Sequence, residues 1–319
     1  MTGVQTCALP IFSVRRLAAA VVIAVLCAAG CADKRPPTAV RAPDAASGPV
    51  PEDVIREASP AIAKGDAPAA TYQDRGEAYY RLGQFELAQK DFEKAQSAGG
   101  TSAETLYDLG AAAYMRHDYA DALKRFSEAL ARDGGMGRAY NNRGVTYFAL
   151  GQYENALADF NTAQRLGGPS EKAALFNRAL TYQTMRDLDR AMADYDRIIA
   201  ADPGNIAARN NKADILLSLR RFDEAASLLD AAIAVAPNDP ELYFNRALAR
   251  EAMAQYPAAK ADYDQALRLR SNFAEAYRNR GVLSLRLHQG KEGCADLDLA
   301  CRFGQCRQTQ KAKDFGMCQ

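Results

Sequence analysis

Residues 72–95 read YQDRGEAYYRLGQFELAQKDFEKA, and residues 140–163 read YNNRGVTYFALGQYENALADFNTA. The two stretches are offset by 68 residues, twice 34. A self-similar period in this range marks a chain built from stacked supersecondary units and must be set before any domain is drawn. With a 34-residue register, repeats begin at Ala69, Ala103, Gly137, Lys172, Ile206, Pro240 and Ala274, with one residue inserted before Lys172.

Within that register the eighth position is always small: Gly76, Gly110, Gly144, Ala179, Ala213, Ala247 and Gly281. The twentieth is Ala88, Ala122, Ala156, Ala191, Ala225, Ala259 and Gly293. Position 24 is large: Phe92, Phe126, Phe160, Tyr195, Leu229, Tyr263 and Leu297. Position 27 is Ala95, Ala129, Ala163, Ile198, Ala232, Ala266 and Ala300. These spacings describe two amphipathic helices per repeat. Small residues sit where the helices cross, and large ones fill the gap to the next unit. Pro203 and Pro237, at position 32, stop the second helix.

The pattern resembles the tetratricopeptide repeat over residues 69–307, with the units 69–102, 103–136, 137–170, 172–205, 206–239, 240–273 and 274–307. Position 4, typically Trp in that family, is here Tyr72, Leu106, Tyr140, Leu175, Tyr243 and Tyr277, and Arg209 departs from it. The resemblance implies an all-α fold, a right-handed α-solenoid of helix-turn-helix repeats with a concave groove. Its stability would be a sum of neighbour interfaces. Terminal units need polar covers. Residues 52–68, interrupted by Pro60, suit an N-terminal cap, and 308–319 suit a short C-terminal helix.

Two rows run along the repeats. Position 6 of the first helix reads Asp74, Asp108, Asn142, Asn177, Asn211, Asn245 and Asn279. Asn is a poor helix former, so five at one register call for compensation. The resemblance puts this helix on the groove. A row of amides could hydrogen-bond an extended peptide backbone without reading its sequence, similar to the asparagine ladder of O-GlcNAc transferases. The equal alternative is that each Asn bonds a neighbouring helix and fixes packing. Tyr107, Phe176 and Phe244 at position 5, with Tyr80, Tyr114 and Phe148 at position 12, would supply aromatic contacts or belong to the core between repeats. No set of Lys and Arg suits a carboxylate clamp.

The second row pairs positions 7 and 23: Arg75/Asp91, Arg143/Asp159, Arg178/Asp194, Arg246/Asp262 and Arg280/Asp296. Where Asp is missing, Arg is missing too, as in Leu109/Arg125 and Lys212/Leu228. That joint presence predicts a charge-assisted contact fixing the helix crossing.

Residues 1–11, MTGVQTCALPI, resemble a translated sequencing adapter, which makes Cys7 foreign to the natural protein. Residues 12–30 carry Arg15 and Arg16 followed by 14 apolar residues. A spanning helix needs about 20, so this is a signal peptide core. It ends in Ala28-Ala29-Gly30-Cys31, which resembles a bacterial lipoprotein signal with Cys31 as the lipidated residue. Ala28 replaces the usual branched residue, and Ala32 after the Cys points to the outer membrane. A soluble secreted protein or an uncleaved anchor are the other readings. Residues 31–51 hold Pro36, Pro37, Pro43, Pro49 and Pro51 and form an extended tether reaching about 60 Å.

The remaining cysteines, Cys294, Cys301, Cys306 and Cys318, fall in the last 26 residues. An even cluster in an exported chain reads as disulfides. Cys294 and Cys301 are seven apart on one helix, about 10 Å along its axis and too far to bond. A reversal near Gly304 would pair Cys294 with Cys318 and Cys301 with Cys306. A four-thiolate zinc site is the alternative, although the spacing lacks a CxxC knuckle.

The full chain of 319 residues carries 40 Lys+Arg against 39 Asp+Glu, and only two His. No charge surplus supports a nucleic-acid field. No phosphate-binding glycine loop, nucleophile elbow or HExxH motif is present. The lone carboxylates Asp214 and Glu251 read as solvated groove polarity. The expected function is therefore a non-catalytic scaffold without cofactor or metal. It would be lipid-anchored in the bacterial envelope facing the periplasm, and it would hold partner proteins or extended peptides in the groove. A periplasmic module recognising a small ligand or glycan is the alternative.

Overall fold

In the computed structural model the described residues are 49–319, except 66, 100, 315 and 319. The adapter-like segment, the signal peptide, Cys31 and nearly all of the tether lie outside them. The described residues form sixteen α-helices and no strand. They fall in two compact units, 49–203 and 204–319.

The first unit opens with α1 (Pro51–Ala63), followed by four helix pairs. These are α2 (Ala69–Arg81) with α3 (Phe85–Ser97), and α4 (Ala103–Met115) with α5 (Tyr119–Arg132). Then come α6 (Gly137–Ala149) with α7 (Tyr153–Leu166), and α8 (Ser170–Thr184) with α9 (Leu188–Ala201). The second unit holds α10 (Ile206–Ser218) with α11 (Phe222–Val235), and α12 (Pro240–Ala252) with α13 (Tyr256–Leu269). It ends with α14 (Ala274–Arg286), α15 (Gly290–Arg302) and α16 (Arg307–Asp314). The architecture is an all-α solenoid of helix-turn-helix repeats.

Proline does not interrupt α1. Pro51 opens it at the first helical position, where a missing N–H costs nothing, and Pro60 sits inside its last turn. The insertion before Lys172 is absorbed by Gly167, Gly168 and Pro169, and α8 begins at Ser170.

Packing repeats with the sequence register. Position 24 is 0–1 % exposed in every repeat. A Cβ added at Gly76, Gly110 or Gly144 would lie 2.6–2.8 Å from the ring of Phe92, Phe126 or Phe160. The glycines are therefore required by ring contact. Three positions vary together. Phe at position 24 accompanies Gly at 8 and an aromatic at 12 (Phe92 with Gly76 and Tyr80). Tyr at 24 accompanies Ala at 8 and an acceptor at 12. The buried Tyr195 hydroxyl donates to Gln183 Oε1 and that of Tyr263 to Glu251 Oε2, both at 3.0 Å. A buried phenol needs such a partner. Leu229 and Leu297 accompany Leu217 and Leu285.

Each first helix ends in the same turn. Position 15 has positive φ in all seven repeats: Gly83, His117, Gly151, Arg186, Arg220, Ala254 and His288. The N–H of the next residue bonds a carbonyl five residues back, as from Asp118 to Ala113 and Gln255 to Arg250. This left-handed cap closes the carbonyls that the helix end leaves open.

In each unit the second helix of a repeat packs on the first helix of the next. First helices of neighbours also touch, α2 with α4, α4 with α6, α6 with α8, and α10 with α12. The first helices thus stand closest together, which curves each stack toward the face they share.

Candidate functional site

The amide row falls on that face, and its geometry is specific. Asn142 Nδ2 donates to the Tyr107 hydroxyl at 2.8 Å, Asn177 Nδ2 to Asn141 Oδ1 at 3.0 Å, and Asn245 Nδ2 to Asn210 Oδ1 at 2.8 Å. Position 6 of one repeat therefore bonds position 5 of the repeat before. Asn142, Asn177 and Asn279 are 0–4 % exposed. Asn279 hydrogen-bonds the buried Tyr263. These three amides are closed to a guest; Asn142 and Asn177 hold neighbouring first helices together, and Asn279 ties its helix to α13. Asn211 and Asn245 remain half-buried.

The aromatic neighbours divide in the same way. Tyr107 is buried, its ring covered by the Arg138 guanidinium at 4.6 Å. Phe176 and Phe244 are half-buried and lean on Tyr195 and Tyr263 at 5.9 and 6.0 Å between ring centres. Tyr114 and Phe148 are half-buried, and Tyr80 is buried.

All five Arg–Asp pairs are bidentate, with N–O distances of 2.6–2.9 Å. Sequence reasoning missed a third arm. The remaining Nη1 reaches position 25 of the preceding second helix: Ser127 from Arg143, Asn161 from Arg178, Asp230 from Arg246, and Asp264 from Arg280. Arg75 reaches Ser59 of α1 in the same way. The helix α1 thus occupies the place of a second helix in an incomplete repeat. Each guanidinium clamps three helices. The residues Asp91, Asp159, Asp194, Asp262 and Asp296 are 4–6 % exposed. In one of the two repeats without the pair, Leu109 is buried and Arg125 turns to Asp121 of its own helix.

Glu251 is not solvated. It is 9 % exposed, accepts from Tyr263, and burial pushes its carboxyl up. Asp214 is half-buried.

At the N-terminal end of the face lies a group that the sequence did not assemble. Gln73 Nε2 bridges two carboxylates, Asp108 Oδ2 at 2.5 Å and Glu77 Oε1 at 3.1 Å. Asp108 is 2 % exposed. Burial first, then the charges of Glu104 and Glu77, pushes its carboxyl well above the ordinary range. Burial pushes Glu77 up as well. Gln73 Oε1 and the Tyr80 hydroxyl are buried without a hydrogen-bond partner. The signal available was the Asp at position 6 where other repeats carry Asn.

At the C-terminal end Cys294 is disulfide-bonded to Cys318, with Cα atoms 5.5 Å apart. Cys301 is bonded to Cys306, with Cα atoms 3.9 Å apart. The thiols are thereby committed in pairs. The Thr309 hydroxyl donates to Leu297 O at 2.6 Å, and Ala312 and Cys318 pack against Leu297, so α16 covers α15. Among the described residues no group of His, Cys, Asp and Glu suits a metal ion, and no helix is long and apolar enough to cross a membrane.

Family models described as tetratricopeptide repeat match residues 69–98 and 240–273, 137–166, and 184–251. Three of these segments begin at position 1 of the register, and the fourth spans 68 residues, two periods. The matched segments are tetratricopeptide repeats. Among solved structures, a tetratricopeptide repeat protein from Parabacteroides merdae is 23% identical. The match covers 83% of this chain and 97% of that one, with a TM-score of 0.55. The C-terminal part of a repeat-containing protein of the same kind from Cytophaga hutchinsonii is 18% identical. It covers 71% of this chain and 93% of that one, with a TM-score of 0.58. No curated protein matches the sequence. Tetratricopeptide repeat proteins generally serve as scaffolds for protein interaction and are typically non-catalytic.

Proposed function

We propose that this chain is a non-catalytic scaffold of the bacterial envelope that holds partner proteins or extended peptides against its first-helix face. The observation that carries the reading is that the first-helix face of each unit combines buried and half-buried groups. Asn142, Asn177 and Asn245 bond one repeat to the next. Tyr114, Phe148, Phe176 and Phe244, and beside them Asn211 and Asn245, are only half-buried. Aromatic rings beside amides bury apolar area while satisfying peptide N–H and C=O groups. The chain would hang from an outer membrane by lipid on Cys31, with the Pro-rich stretch as tether.

Pull-down from detergent-solubilised envelopes tests the binding reading. Partners should be retained by the wild type and lost with Asn211→Ala/Asn245→Ala while helicity is unchanged. Partners retained by a folded double variant would contradict it. Metabolic labelling with an azide-bearing fatty acid tests the anchor. Label should appear on the wild type and vanish in Cys31→Ser, and an unlabelled wild type would remove the anchor.

A further inference from the structure

The two ends of the repeat array are complementary halves. At the N-terminal end α1 stands where a second helix stands, since its Ser59 takes the third arm of Arg75. In the clamped repeats the aspartate lies two residues before such an acceptor, as Asp159 before Asn161 and Asp262 before Asp264. The same place in α1 is Glu57, which is exposed and makes no ion pair among the described residues. At the C-terminal end α16 carries three marks of a first helix. Its Ala312 packs on Leu297, the position-24 residue of the last repeat. Lys313 Nζ lies 3.7 Å from Asp298 Oδ1, at position 25, where the other repeats receive the third arm. It ends in the same left-handed turn: Gly316 has φ 65°, and the Met317 N–H bonds the Ala312 carbonyl, five residues back, at 2.9 Å. Among the described residues, then, α1 is a second helix without a first, and α16 a first helix without a second. Their charges are opposite. Helix α1 carries Glu52, Asp53 and Glu57 against Arg56, and α16 carries Arg307, Lys311 and Lys313 against Asp314. An exposed apolar residue flanks each, Val50 before α1 at 55 % and Met317 after α16 at 46 %.

We propose that these ends bind each other between copies of this chain. Helix α16 of one copy docks beside α1 of a second, so that a first and a second helix from different chains complete one repeat. Lys313 then meets Glu57 of the second copy while keeping Asp298, as each clamping arginine meets its aspartate and its position-25 acceptor. An ammonium has three donors and serves both carboxylates. In an intact repeat the turn after the first helix leads straight into the second, so Met317 comes to lie beside Val50 of the second copy, and both lose exposed apolar surface. A repeat array draws its stability from neighbour interfaces, and this contact adds one more of the same kind. It is head-to-tail: each copy uses two different surfaces, so a pair still has one free end of each type and growth continues. It makes no use of the first-helix face and stands or falls apart from the partner-binding reading.

Light scattering on the purified full chain tests this over a concentration series, in detergent with micelles in excess and protein mass resolved from detergent mass. The wild type should grow from one copy to two and more as concentration rises. Glu57→Lys and Lys313→Glu should each stay at one copy with helicity unchanged, because like charges then face each other. Their equal mixture should grow again, since Lys313 of the first variant meets Glu57 of the second and the two reversed charges meet each other. A residue that served folding alone would not be rescued by mixing. As a readout that needs no substitution, carbodiimide would be applied to mixed light and heavy-nitrogen wild type. It should yield a peptide joining Lys313 of one label to Glu57 of the other. A wild type that stays at one copy at every concentration overturns the contact. Self-association that survives either reversal overturns it too, as does a mixture that stays at one copy or the absence of the mixed-label peptide.

Discussion

Replacing Arg143 by Leu is the sharpest test of how the repeats are held. Arg143 Nε and Nη2 each lie 2.8 Å from an oxygen of Asp159, and Nη1 lies 3.1 Å from Ser127 Oγ. The guanidinium also stands 5.5 Å from the Tyr140 ring centre. Asp159 is 5 % exposed. Removing one partner of a buried pair strands the other and costs about 3–5 kcal/mol, where an exposed pair costs about 0–1. Burial already pushes the Asp159 carboxyl up despite the guanidinium beside it, and losing Arg143 pushes it further. The folded variant then holds a proton that the unfolded chain releases. Its penalty should be largest near pH 8 and shrink as pH falls toward the ordinary carboxylate range. Urea denaturation across pH 5–8 gives the size. Hydrogen exchange gives the place, because a repeat array loses structure locally. The loss should centre on α6, α7 and the adjoining α5. The chain supplies its own rescue, since one repeat carries Leu109 with Arg125. Arg143→Leu/Asn155→Asp/Asp159→Arg, which copies Leu109, Asp121 and Arg125, should therefore recover most of the lost stability. A single variant costing under about 1 kcal/mol, or a penalty independent of pH, would refute the reasoning.

Gly144→Ala places a Cβ 2.7 Å from the Phe160 ring and should cost about 1–3 kcal/mol by overpacking. Adding Phe160→Leu should restore most of this in the same denaturation assay, as the natural pair Ala213 and Leu229 does. Ala254 sits at φ 59°, so Ala254→Gly should stabilise by about 0.5–1 kcal/mol in thermal unfolding. Asp108 has its carboxyl raised by burial, so it favours the fold below the ordinary carboxylate range, and that contribution is lost as pH rises. Asp108→Asn should accordingly be more stable than wild type at pH 8 and level with it at pH 4. Intact mass with and without reductant should show four thiols appearing only after reduction, and four free thiols in oxidised protein would remove both C-terminal bridges.

Features confined to one repeat were legible in the sequence, and those spanning two repeats were legible only in part. The Arg–Asp pairs could be read because both partners vary together at a fixed separation of 16. The third arm could not, because its acceptor changes from Ser127 to Asn161 to Asp230 and shares only hydrogen-bonding capacity. The amide row was visible, but its direction was not. The offset from Asn245 to Asn210, or from Asn177 to Asn141, crosses a repeat boundary, where the residue at position 5 is sometimes Phe176 or Phe244. Left-handed turns were hidden because His117, Arg186, Arg220, Ala254 and His288 adopt them without glycine, held by the flanking helices. Glu251 read as solvated because nothing local in the sequence reveals that Tyr263 lies above it.

Photo-crosslinking in intact cells tests the scaffold reading most directly. A photoreactive phenylalanine would be placed at Tyr114 or Phe244 on the first-helix face, or at the exposed Leu87 and Val235 on second helices. The account predicts discrete crosslinked partners from Tyr114 and Phe244 and none from Leu87 and Val235. Partners captured equally from both sets, or only from the second helices, would contradict it.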